Sequence, residues 1–256
     1  MSVDIMAGIN SIPYQNVNIM RALREEAVKA LGQARWDEII DGIEIPADGM
    51  EENRLNGIMR IFLRRFDEMV EPQVRREIFC RVRHGLKPDD FGWARAKFLE
   101  YNDIDKFCAD MRSETLDGFA KSVESGEDFH GQPVDKSVYD FVLSQPFLLY
   151  GARDGNKIAA VAIPCETMEY LKEKDPKKKR YYACHCRFAR RSILQEEGGV
   201  SKTICHCSLG HTKIFWEAAL GAELEGEIES SALNGDYLCK FIIRLPDEIM
   251  QKYVNR

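Results

Sequence analysis

The sequence predicts an α/β protein of the α+β kind, with a helical N-terminal half over residues 1–144 and a C-terminal part over residues 145–256 made of a mostly antiparallel sheet with helices. The two parts are expected to pack as one unit. Three observations predict this. Before about residue 145 the apolar side chains recur at the helical period, and after it they fall into alternating or short apolar runs. Asn234-Gly235, a strong tight-turn signal, then separates two of those runs.

The helical half is justified segment by segment. In 17–31, Ile19, Leu23, Ala27 and Leu31 share one face, and in 54–69 Leu55, Ile58, Ile61, Phe62, Phe66 and Met69 form an apolar stripe opposite Arg and Asp. Further helices are predicted over 72–83, 88–101 and 103–124. Pro72 opens the first of these, and Asp89-Asp90 after Pro88 opens the second. Cys80, Cys108 and His84 fall in this half and are read as core side chains, because a free cysteine behaves as a small hydrophobe. His130, in a turn-rich stretch, is read as a surface residue.

The sheet begins with a hairpin from 147–150 through Asp154-Gly155 to 157–163, ended by Pro164 and followed by a short exposed helix over 166–174. The second hairpin predicts its own register. Pairing Leu233 with Asp236 places Glu229 opposite Lys240 and Glu225 opposite Arg244 on one face, with Ile228 opposite Phe241 and Ser230 opposite Cys239 on the other. Glu223, Glu225, Glu227 and Glu229 are therefore read as a solvated sheet face rather than a catalytic carboxylate cluster.

Composition bounds the function. A hydrophobic fraction of 45% and a charged fraction of 30% are those of an ordinary globular protein, and the net charge of -6 lacks the basic footprint of a non-specific nucleic-acid binder. The dense basic run Lys177-Lys178-Lys179-Arg180 is read as a solvated loop. No apolar stretch approaches the roughly 20 residues of a membrane helix, and Met1-Ser2-Val3-Asp4-Ile5 resembles no export signal. A cytoplasmic protein with no membrane or nucleic-acid partner is expected, and the sequence fixes no oligomeric state. Its eight cysteines are then reduced and open to metal binding or thiol chemistry.

Six residues concentrate that chemistry: Cys184-His185-Cys186 and Cys205-His206-Cys207. Each triplet is predicted to join a strand to a helix, over 188–197 and 209–220, with Ser208 as cap of the second. In an extended segment residues i and i+2 share a side, so two adjacent triplets would gather Cys184, Cys186, Cys205 and Cys207 as four soft ligands for zinc or another soft metal. A single residue between paired cysteines is tighter than common zinc spacing. Two other readings stand beside this one: buried reduced thiols at tight junctions, and a thiolate at a helix start, with Cys186 or Cys207 as nucleophile or redox centre and His211 as proton carrier. His185, His206, Trp216 and Cys239 are candidate ligand-binding residues, with core packing the commoner role for Trp216 and Cys239.

The run Cys205-His206-Cys207-Ser208-Leu209-Gly210-His211, followed by Trp216, Gly221, Glu229-Ser230-Ser231, Gly235-Asp236 and Cys239-Lys240-Phe241-Ile242-Ile243, resembles the 4-vinyl-reductase-type small-molecule-binding domain. It is also similar to the related L-2-amino-thiazoline-4-carboxylic acid hydrolase-like family. Cys205 or Cys207, Gly210, Gly235, Asp236 and Cys239 stand at the matching positions. The resemblance implies a curved antiparallel sheet with a ligand pocket between sheet and helices, in a sensor or accessory module, and metal binding by the cysteines. The sequence departs from it at Ser231 and in carrying Cys184-His185-Cys186 as well. A small-molecule-binding or sensor protein with a zinc-type Cys/His site is thus the first expectation. The alternatives are a hydrolase of a carbon–nitrogen bond in a small heterocycle and a thiol redox sensor.

Overall fold

The computed structural model describes residues 16–129, 131–195 and 199–254. The positions expected for Met1 to Ile5, for His130 and for the helix stop at Gly198 lie outside them. Among the described residues seven helices precede the sheet: α1 (Asn16–Leu31), α2 (Gln33–Ile40), α3 (Glu52–Met69), α4 (Pro72–Val82), α5 (Gly92–Tyr101), α6 (Ile104–Ser125) and α7 (Lys136–Ser144). The stretch predicted as one helix over 88–101 divides into a 3-10 turn, Pro88–Phe91, and α5. Two starts are fixed by carboxylates: Asp103 accepts the Lys106 N–H at 3.0 Å, and Asp135 the Val138 N–H at 3.0 Å.

The C-terminal part contains β1 (Ala152–Asp154), β2 (Lys157–Val161), α8 (Thr167–Lys172), α9 (Pro176–Ala183), α10 (Cys205–Leu220), β3 (Glu225–Ser230), β4 (Lys240–Arg244) and α11 (Asp247–Tyr253). The strands form one antiparallel sheet in the order β1-β2-β4-β3. The fold is α+β, as predicted. The second hairpin keeps its predicted register at Glu225–Arg244 and Ile228–Phe241, and Lys240 Nζ reaches Glu229 at 2.6 Å. A bulge after Ile228 then sets Ser230, rather than Glu229, opposite Lys240. The two-residue turn gives way to a 3-10 turn, Ala232–Asn234, because Ser231 Oγ accepts the Asn234 N–H at 3.2 Å and draws the chain out of the ladder. The glutamates at 223, 225, 227 and 229 are exposed, so that face of β3 is solvated.

One apolar cluster draws Leu23, Phe62, Phe66 and Phe79 from the first helices together with Phe188, Val200, Ile204 and Cys207 from far along the chain. A second joins Phe98 and Phe107 to Ile158 and Ile243 of the sheet through Ile214, Phe215 and Trp216 of α10. The core therefore crosses the expected boundary near residue 145. Helix α10 is the hub: it is apolar around most of its circumference, and it lies so close to α4 that a Cβ at Gly210 would come within 1.8 Å of the Cys80 carbonyl oxygen. No helix among the described residues is long and apolar enough to cross a membrane.

Candidate functional site

Both triplets fold differently from the strand–triplet–helix expectation. Ahead of the first, Asp175 accepts the Lys178 N–H at 2.8 Å and Pro176 takes the first helical position, so Lys177-Lys178-Lys179-Arg180 lies in α9 and not in a loop. Cys184, His185 and Cys186 follow α9 as irregular backbone, and among the described residues of the region read as a helix from Phe188 a 3-10 turn, Arg190–Ile193, forms instead. Ahead of the second triplet, Ser201 caps a 3-10 turn, Lys202–Ile204, and the triplet itself is the first turn of α10. Ser208 is consequently inside the helix.

That change redirects the cysteines. At about 100° per residue, positions i and i+2 of a helix face nearly opposite ways, where a strand would have aligned them. Cys205 accordingly faces the turn after β3, with its thiol 3.8 Å from Ser231 Oγ, and Cys207 faces α4, with its sulfur accepting the His84 N–H at 3.3 Å. The thiols nevertheless remain within reach of one another's charge: Cys184 feels Cys186, Cys239 and Cys205, Cys186 feels Cys205 and Cys207, and Cys207 feels Cys80 and Cys205. Their donors suit a soft metal, but among the described residues no group of three or more His, Cys, Asp or Glu side chains is arranged to hold one. Burial pushes the thiols of Cys205 and Cys207 up to about 12 and that of Cys184 well above the ordinary value. These are neutral packed thiols.

The remaining candidates divide between core and surface. Trp216 is 1% exposed and donates its indole N–H to the Tyr150 carbonyl at 2.8 Å, so it is a core side chain. Cys239 accepts the Ala232 N–H at 3.4 Å. His206, with Nδ1 at 3.1 Å from the Thr203 carbonyl, lines an open, highly charged groove of about 600 Å³ with Cys80, Arg76 and Lys213. Burial lowers its pKa. His211 stacks on His84 at 4.6 Å between ring centroids and 24° between planes, and burial together with the charge of His185 lowers its pKa to about 4.

The chemically distinct cysteine is one the sequence reading did not select. Cys165 is partly buried, two residues beyond the buried Ile163 and directly after the Pro164 that closes the β2 segment. Burial raises its pKa, but a hydrogen bond with His185 and the charges of His185 and Arg190 outweigh that cost and lower it overall. Each of the other seven cysteines is shifted upward. Arg190 Nη1 donates to the Cys165 sulfur at 3.5 Å. The guanidinium is fixed by Glu166, by Glu52 at 3.4 Å and by the Tyr181 ring at 4.1 Å from its centroid.

His185 complements the thiol. Its Nε2 is 2.5 Å from the Ile163 carbonyl oxygen, which accepts and so fixes a hydrogen on that nitrogen, and the ring also interacts with the Cys165 thiol. Burial disfavours the imidazolium, but the thiol and the carbonyl more than compensate and raise its pKa. Both shifts run toward a thiolate beside an imidazolium, the arrangement that makes sulfur nucleophilic with an acid beside it. His185 was legible as a candidate. Its partner was not, because Cys165 lies 20 residues away outside any motif; the signal available was a cysteine directly after a strand-ending proline.

None of the family profiles, curated proteins or solved structures compared with the chain matches it.

Proposed function

We propose that the protein is a thiol-dependent hydrolase of a carbon–nitrogen bond in a small molecule, with Cys165 as nucleophile and His185 as proton donor. The observation that carries this reading is the Cys165–His185–Arg190 group, in which a guanidinium nitrogen stands 3.5 Å from the sulfur of the one cysteine whose pKa is shifted downward. The sulfur would bond to the substrate carbon, the carbon–nitrogen bond would break, and the leaving nitrogen would take the His185 proton; water would then release the acyl group and restore the thiolate. The choice of carbon–nitrogen bond comes from the resemblance to the amino-thiazoline carboxylate hydrolase-like family, and the nucleophile assigned is Cys165 in place of Cys207.

A redox sensor fits the group less well, because the charges acting on Cys165 are those of His185, Arg190 and Glu166 and no second thiol is among them to resolve a sulfenic acid. The test is a time course of iodoacetamide labelling mapped by mass spectrometry, run beside hydrolysis assays on small cyclic amidines and thiazolines. Cys165 is expected to label first, and Cys165→Ser to abolish turnover. Faster labelling of any other cysteine, or turnover by Cys165→Ser, would overturn the assignment.

A further inference from the structure

Cys165 sits inside a run, 163–167, whose backbone is tied down residue by residue. Two ties join it to the segment that carries His185. The Ile163 carbonyl accepts from His185 Nε2 at 2.5 Å, and the Glu166 N–H donates to the Tyr182 carbonyl at 3.0 Å, so in sequence the two bonds bracket Cys165. A third tie comes from Gln132, in the connection between α6 and α7. This side chain is buried, at 7% exposure, and its Nε2 donates to the Pro164 carbonyl at 3.3 Å while its Oε1 accepts the Thr167 N–H at 3.0 Å. One carboxamide therefore grips the residue before Cys165 and the second residue after it.

We infer that Gln132 is a positioning residue of the Cys165 site, its carboxamide spanning the loop that carries the thiol and holding the sulfur against His185 and Arg190. The inference rests on Cys165 being the nucleophile. Capping of α8, which begins at Thr167 and takes no bond from the Glu166 side chain, accounts for the Thr167 contact alone. The bond to Pro164 lies outside that role. It needs a donor, which a carboxamide has at one end and a carboxylate lacks, and together with Thr167 Oγ1 at 3.0 Å it fills both lone pairs of the Pro164 carbonyl.

Gln132 is itself anchored. Its backbone exchanges hydrogen bonds with Phe129 at 3.0 and 3.2 Å, and the Phe129 ring packs on Phe119 of α6 with 4.2 Å between centroids. The thiol loop is thus referred to α6 through Gln132 and to α9 through Tyr182. The contact it sets has little margin, because Arg190 Nη1 already stands 3.5 Å from the Cys165 sulfur and a displacement of about 1 Å would break it.

The rate of Cys165 alkylation by iodoacetamide across pH, followed by mass spectrometry on the full chain, tests the inference. Gln132→Met keeps the side chain long and neutral and removes both bonds. The groups whose charge reaches the thiol, His185, Arg190 and Glu166, are all retained. The midpoint of the pH–rate profile should move up, so that labelling near pH 7 slows by about tenfold, while the plateau reached once the thiol is fully ionised stays within about twofold of wild type. The buried Cys108 and Cys184 report the fold in the same sample and should remain protected. Thr167→Val removes the hydroxyl bond to Pro164 but leaves both carboxamide bonds, and should slow labelling by about twofold. An unchanged profile in Gln132→Met, a slowing in Thr167→Val as large as that in Gln132→Met, or exposure of Cys108 and Cys184 along with any change at Cys165 would each overturn the inference, the last by marking Gln132 as a purely structural residue. A wild-type midpoint at or above the ordinary thiol value would instead overturn the assignment of the nucleophile beneath it.

Discussion

The Arg190 guanidinium stands 3.5 Å from the Cys165 sulfur, and its remaining contacts tie that sulfur to distant parts of the chain: Glu166 beside the thiol, Glu52 on α3 and the Tyr181 ring on α9. A planar cation clamped in this way cannot swing toward solvent, so its charge stays on the thiol. Arg190→Gln is therefore expected to slow iodoacetamide labelling of Cys165 near neutral pH by about tenfold, equivalent to about one unit of thiol pKa. Arg190→Lys should restore only part of the rate, since an ammonium cannot keep the sulfur, carboxylate and ring contacts together. Equal labelling rates in all three proteins would remove Arg190 from the site.

A metal plays no part in that account of the thiolate. Cys165 is activated by an imidazole and a guanidinium, and the triplet cysteines are directed to different neighbours. Dialysis against a strong chelator is accordingly expected to leave the Cys165 labelling rate within about twofold of the untreated protein, where release of a structural zinc ion would unfold it. A chelator-induced loss of helix, followed by circular dichroism, would return the cysteines to the role of metal ligands.

Some of this was legible in the sequence, for physical reasons that can be named. Helices α3, α4 and α6 carry apolar stripes behind proline or carboxylate starts, and local signals of that kind survive tertiary packing. The register of β3 on β4 was legible from Glu225 to Ile228 through the alternation of charged and apolar residues, and was lost after Ile228 where a bulge sets Ser230 opposite Lys240. The triplets misled because Cys-His-Cys has no strong period of its own: Ser201 upstream closed a 3-10 turn that started α10 early and turned Cys205 and Cys207 apart. Cys165 was silent because its identity as a nucleophile lies in His185 and Arg190, residues brought to it by the fold.

Gly210 shows how closely α10 must approach α4. A methyl group there would lie 1.8 Å from the Cys80 carbonyl oxygen and 2.6 Å from its carbon, both rigid helical backbone. Gly210→Ala should destabilise the protein by about 3 kcal/mol or more, at the upper end of overpacking costs, because one of the two helices has to move. Thermal or urea unfolding would measure it. A cost near zero would mean that the α4–α10 contact yields easily, and that the His84–His211 stack carried by the same two segments is correspondingly loose.

The imidazoles also set a pH dependence whose sign can be worked out. Burial lowers His211 from 6.5 to about 4 and lowers His84 well below 6.5. Between those limits the unfolded chain binds protons that the folded protein refuses, so stability contributed by the neutral rings is full above about 6.5 and declines as pH falls, by about 1.4 kcal/mol per unit for each fully shifted group. His185 works in the opposite direction, since its pKa is raised: its contribution is full below 6.5 and is lost as pH rises through the folded value. The wild-type curve sums both effects, so the comparison that isolates one is wild type against His211→Gln. The variant should lose less stability than wild type between about pH 7 and pH 5, measured as the shift in urea midpoint. Parallel losses in the two proteins would show that His211 takes up its proton in the folded state without penalty, and hence that its ring is open to water.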